Sequence, residues 1–138
     1  MMVRRRKLLI VDDNEDITKM LDVALSRANF DTTFAHGGFA ALTQIFAAYD
    51  AGSCFDAILL DCAMPRCDGF AVAKLVRETE GLGIVARTRI SFLTAYPETV
   101  ERTSLLREVD YDHYWEKSDR FEELPRAIAA WMGECSDV

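Results

Sequence analysis

Two apolar runs in this chain end in carboxylates: Leu8-Leu9-Ile10-Val11 leads into Asp12-Asp13, and Ala57-Ile58-Leu59-Leu60 stops at Asp61. Short runs of this kind, without polar alternation, read as strands covered on both faces, the habit of parallel sheets. In open α/β sheets, ligands collect beyond the carboxyl ends of the strands. Three acidic groups gathered there would repel one another and lose solvation, so they imply a bound divalent cation. The pattern predicts an oxygen-rich magnesium site with one carboxylate in reach of a phosphoryl donor.

The rest of the chain alternates in the same rhythm. Lys7 to Val11 reads as a first strand. Asn14 then caps a helix whose apolar face is Ile17, Met20, Leu21, Ala24 and Leu25. Asp31 to Ala35 is a short strand, and Gly37-Gly38 precedes a helix from Phe39 to Tyr49 that carries Leu42, Ile45 and Phe46. Phe55 to Leu60 is the third strand. A loop through Asp68-Gly69 leads to a helix from about Phe70, with Val72, Leu75 and Val76 facing inward, that stops near Gly81.

Arg89 to Thr94 follows as a strand, then a helix opened by Pro97, then a strand from Tyr111 to Glu116. A last helix carries Leu124, Ile128 and Trp131, with its first regular turn near Pro125. Five βα units joined by short connections predict a doubly wound parallel sheet with helices on both faces. Thr94 ends the fourth strand and Lys117 follows the fifth, so special polar residues stand at the carboxyl ends of four strands. The strand left out, Asp31 to Ala35, is expected at the sheet edge.

Bulk properties limit the function classes. At 138 residues the chain suits one domain over 1–138, with its core at about 7–132. A formal charge of −7 argues against general nucleic-acid binding. The run Arg4-Arg5-Arg6-Lys7 reads as a solvated lead-in to the first strand or as a contact for an acidic partner. No apolar stretch approaches the ~20 residues of a membrane-spanning helix, and no secretory leader is visible, so a cytoplasmic location is expected. Cys54, Cys62, Cys67 and Cys135 form no C-x-x-C pair, and the histidines are isolated, so free thiols are expected. Cys62 and Cys67 flank the acidic site, a position from which oxidation could modulate it.

Taken in order, Leu-Ile-Val-Asp-Asp-Asn, Ile-Leu-Leu-Asp-Cys-Ala-Met-Pro-Arg-Cys-Asp-Gly, Phe-Leu-Thr-Ala and Tyr-Trp-Glu-Lys resemble the signatures of response-regulator receiver domains of two-component signalling. The resemblance runs from about Lys7 to Met132. It implies a flavodoxin-like fold with strand order 2-1-3-4-5. It implies that Asp61 is the phosphoacceptor, and that Mg²⁺ is held by Asp13, Asp61 and the backbone carbonyl of Ala63, with Asp12 acting through water.

Lys117 and Thr94 would contact the phosphoryl oxygens, and Thr94 and Tyr114 would form the switch. The donor would be a histidine kinase or a histidine phosphotransfer protein. The effector protein would dock on the face made by the fourth predicted helix, the fifth strand and the last helix. The chain would be a monomer or a phosphorylation-dependent homodimer, with no membrane or nucleic-acid partner of its own. It would not be an enzyme beyond phosphorylating itself and slowly hydrolysing the product.

Two departures from the family pattern stand out. Ser118 follows Lys117 where the family usually has proline, and Val109-Asp110 replaces the usual Gly-Ala before the fifth strand. Other readings of the chain are an excised receiver of a larger regulator and a degenerate receiver that docks without phosphate. A haloacid-dehalogenase-type hydrolase needs a second aspartate where Ala63 stands. A flavodoxin needs a Ser/Thr/Gly-rich phosphate loop after the first strand, and none follows.

Overall fold

The structure, a computed structural model, describes residues 5–62, 64, 66–94, 108–116 and 123–134. Five strands, β1 (Lys7–Val11), β2 (Asp31–Ala35), β3 (Ala57–Leu60), β4 (Arg89–Thr94) and β5 (His113–Glu116), form one sheet in the order β2-β1-β3-β4-β5, every neighbouring pair parallel. The described helices are α1 (Glu15–Arg27), α2 (Gly38–Asp50), α3 (Gly69–Glu80) and, near the C-terminus, α4 (Leu124–Glu134). The expected doubly wound fold and strand order are what the chain adopts, and β2 lies at the edge.

Strand parity divides the core. Leu9, Val11, Ile58, Leu60, Ile90 and Phe92 face Ala41 and Ile45 of α2 and Val72, Ala73 and Val76 of α3. Leu8, Ile10, Ala57, Leu59 and Leu93 face Leu21 and Leu25 of α1 and Leu124, Ile128 and Met132 of α4. Side chains alternate across a strand, so a strand between two helical layers must be apolar at every position. The continuous runs in β1 and β3 meet that requirement.

Two strands are shorter than the sequence predicts, for the same reason. Asp56 and Asp112 stand where the third and fifth strands were expected to be running already. The Asp56 carboxylate accepts the Lys7 N–H at 2.7 Å and the Asp112 carboxylate accepts the Ile90 N–H at 2.8 Å. Side-chain oxygens thus take the place of the first ladder carbonyls, a competition to which aspartate is prone. β3 therefore begins at Ala57 and β5 at His113. Three expected inward residues, Met20, Phe46 and Leu75, are exposed at the margins of their helices. The helix expected after Pro97 lies outside the described residues.

Candidate functional site

Strand order reverses between β1 and β3, and the crevice at such a switch point is where doubly wound sheets bind ligands. Asp12 and Asp13 follow β1, and Asp61 follows β3 directly beside it in register, its N–H donating to the Val11 carbonyl at 2.9 Å. The three carboxylates each place an oxygen within 4.8 Å of the others. Asp12 is 1% and Asp61 6% exposed, while Asp13 is open to solvent.

Local chemistry holds this geometry. The Asp12 carboxylate accepts the Asn14 N–H at 2.9 Å, and the Asn14 side chain caps α1 by accepting from the N–H groups of Asp16 and Ile17. On the β3 side, Asp68 caps α3 through the Ala71 N–H at 2.9 Å. Gly69 lies so close to the end of β3 that a Cβ there would overlap the carbonyl oxygen of Asp61. Sequence patterning places Gly69 in a loop, yet its missing side chain lets α3 start beside the acidic site.

Thr94 closes β4 opposite Glu116 of β5. Tyr114 is half-buried, its ring 6.4 Å from that of Phe92. Ala63, Lys117 and Ser118 lie outside the described residues. Cys62 and Cys67 are buried, and burial, followed by the charge of Asp68, pushes the Cys67 thiol up. That favours the unreactive protonated form and runs against a redox role for Cys67.

A set of three hard oxygen donors, two of them nearly buried, is the chemistry that Mg²⁺ or Ca²⁺ selects. The profile of the response regulator receiver domain matches residues 8–129, and the chain belongs to that family. It is 32% identical over 129 residues to hybrid signal transduction histidine kinase A of Dictyostelium discoideum, which covers 94% of this chain and 6% of that protein. The chain thus spans a small part of that relative's length. Among solved structures it is similar to the chemotaxis protein CheY4 of Vibrio cholerae (TM-score 0.75, 27% identity, 92% of this chain and 98% of that one). It also shares its fold with the receiver domain of the Arabidopsis thaliana histidine kinase CKI1, complexed with Mg²⁺ and BeF₃⁻ (TM-score 0.76, 23% identity, 93% and 90% covered). Among the described residues, no helix is long and apolar enough to cross a membrane.

Proposed function

We propose that this chain is a phosphoacceptor in a two-component phosphorelay, with Asp61 the residue that carries the phosphoryl group. The observation that carries the reading is the meeting of Asp12, Asp13 and Asp61 within 4.8 Å at the switch point of the sheet. An Asp61 carboxylate oxygen attacks the phosphorus of a phosphohistidine from a histidine kinase or histidine phosphotransfer protein. An O–P bond forms, the N–P bond breaks, and the imidazole leaves with the electron pair and takes up a proton.

Asp13, Asp61 and the Ala63 carbonyl would hold Mg²⁺, with Asp12 holding it through water. The ion supplies charge neutralisation for a transferring group that needs alignment more than covalent help. Lys117 and Thr94 would contact the phosphoryl oxygens. The Mg²⁺ in the complex of the CKI1 receiver fits this assignment. The chain then acts as a switch rather than as a turnover enzyme. Thr94 and Tyr114 relay the phosphorylated state to a face that includes β5 and α4, where an effector or a second copy docks, and a cytoplasmic setting suits these partners.

Intact mass after incubation with phosphoramidate tests the reading, with Mg²⁺ or EDTA and beside Asp61→Asn. One phosphoryl adduct is expected, lost both in EDTA and in the variant. No adduct under any condition would leave a degenerate receiver that docks without phosphate, for which the replacement of proline by Ser118 is the motivating feature.

A further inference from the structure

Beside the acidic site, on the β2 side, lies a groove of about 450 Å³ lined by His36, Gly37, Gly38, Phe39, Ala40 and Arg66. It is tied to the site at three points. The Asp12 N–H donates to the Ala35 carbonyl at 3.1 Å, and His36 Nε2 lies 3.3 Å from the Thr18 hydroxyl of α1. Gly38 packs so tightly on Cys67 that a Cβ would overlap the Cys67 carbonyl oxygen, which fixes the start of α2 to the loop that follows Asp61.

Two residues of this groove serve no purpose visible in the fold. Phe39 is 62% exposed in the first turn of α2 and belongs to neither core cluster. Arg66 holds φ at 71°, a left-handed conformation unfavourable to a long side chain such as arginine, and its guanidinium makes no ion pair or hydrogen bond among the described residues. A strained backbone that presents an unspent cation, beside an exposed aromatic on a fixed frame, is what an interface anchor requires. Asp13, Glu15, Asp16 and Asp68, nearby in sequence, are exposed and acidic, so among the described groove residues the Arg66 guanidinium is where a partner carboxylate is attracted.

We propose that this groove receives the histidine-bearing segment of the phosphodonor protein, with Phe39 as its apolar anchor and Arg66 pairing with a donor carboxylate. The proposal rests on the reading of Asp61 as phosphoacceptor. Asp61 is 6% exposed, so a protein-borne phosphohistidine reaches it only if the donor's surface closes over the surrounding rim, of which the groove is part. A small phosphodonor has no such surface and needs no anchor.

The test compares two donors on wild type, Phe39→Ala and Arg66→Gly. One donor is phosphoramidate. The other is whichever autophosphorylated kinase core or phosphohistidine-carrying phosphotransfer protein, from a panel, phosphorylates the wild type fastest. Phosphoramidate rates are expected to match wild type in both variants. Transfer from the protein donor, at sub-saturating concentration, is expected to fall roughly tenfold in each, the size of one lost anchor. Arg66→Gly relieves the backbone, so its melting temperature should rise while its transfer falls, which separates docking from folding.

Unchanged transfer from the protein donor overturns the proposal, as does an equal fall with both donors. A wild type that accepts phosphate from phosphoramidate but from no protein in the panel also overturns it, while leaving Asp61 as acceptor. Failure with phosphoramidate as well would sink the phosphoacceptor reading itself.

Discussion

The two ends of the sheet use aspartate in opposite ways. At the carboxyl end, Asp12, Asp13 and Asp61 are drawn together within 4.8 Å. At the amino end, Asp110, Asp112 and Glu80 are laced to Arg77 and Arg87. Arg77 donates to Glu80 at 2.6 Å, to the Thr88 and Asp110 carbonyls at 2.7 and 2.6 Å, and to Asp112 at 3.4 Å. Arg87 pairs with Asp110 at 3.1 Å and Asp112 at 2.9 Å. Burial works against the Arg87 charge, but its bonds to Asp112 and Asp110 outweigh this and raise its pKa. Alternating charges around a network hold a shape, whereas like charges crowded together store repulsion that a cation relieves. The amino end is therefore the frame and the carboxyl end the working site. Asp110, half of the departure from the family's Gly-Ala, is a member of the frame.

The largest effect expected from breaking this contrast lies in the frame. The Arg77 and Glu80 side chains are 13% and 9% exposed, so Arg77→Ala should strip partners from a nearly buried carboxylate and from two carbonyls. A loss of about 3 kcal/mol in urea unfolding is expected, while Asp61 phosphorylation by phosphoramidate stays near wild type well below the melting temperature. A rate that collapses with stability would mean that the two ends are not independent.

Removing a charge from the other end should act with the opposite sign. Without Mg²⁺, Asp13→Asn should stabilise the fold by about 1 kcal/mol, the scale of one close like-charge contact in water. With Mg²⁺ the wild type is expected to gain in unfolding midpoint, and the variant should lose that gain. Equal midpoints for variant and wild type in EDTA would show that the carboxylates do not strain one another.

The smallest effect is expected at Tyr49, beside the frame. Its buried hydroxyl has no hydrogen-bond partner among the described residues, and burial, followed by the charge of Glu80, pushes its pKa up to about 12. Near neutral pH, Tyr49→Phe should change stability by less than ~0.5 kcal/mol, because no bond is lost. The folded chain holds this proton more tightly than the unfolded one, whose phenol titrates near 10. Wild-type stability should therefore fall as pH rises from about 10 through 12, and the part of that fall due to Tyr49 should be missing in the phenylalanine variant. Parallel pH profiles would show that the hydroxyl is solvated.

Much of this chain was legible because burial on both faces leaves a local trace. β1 and β3 had to be continuous apolar runs. The carboxylates had to follow them, since a charge within either run would be buried without water. Asn14 could be read as a cap because capping is settled within three residues. β2 is expected at an edge because no special residue stands at its carboxyl end, and its partial burial agrees; β5 is the other edge although Lys117 follows it.

What tertiary structure alone decided depends on partners distant in the chain. Asp56 and Asp112 trim their strands by bonding backbone 49 and 22 residues away, so no local window shows where β3 and β5 begin. Helical periodicity places Leu75 on the inward face with Val72 and Val76, yet Leu75 is exposed while the charged Arg77 is the mostly enclosed hub of an ion-pair network. Apart from Glu80, the partners of Arg77 lie 11 to 35 residues further on, and only the folded neighbours fix the width of the buried stripe. The glycines tell the same story. Gly38 and Gly69 look like loop residues in sequence, and the structure makes them the close contacts that bring α2 and α3 against the acidic site. Sequence fixes what a residue can bury or bond, because that is a property of its own atoms. Which groups it meets is fixed by the packing of segments far apart in the chain.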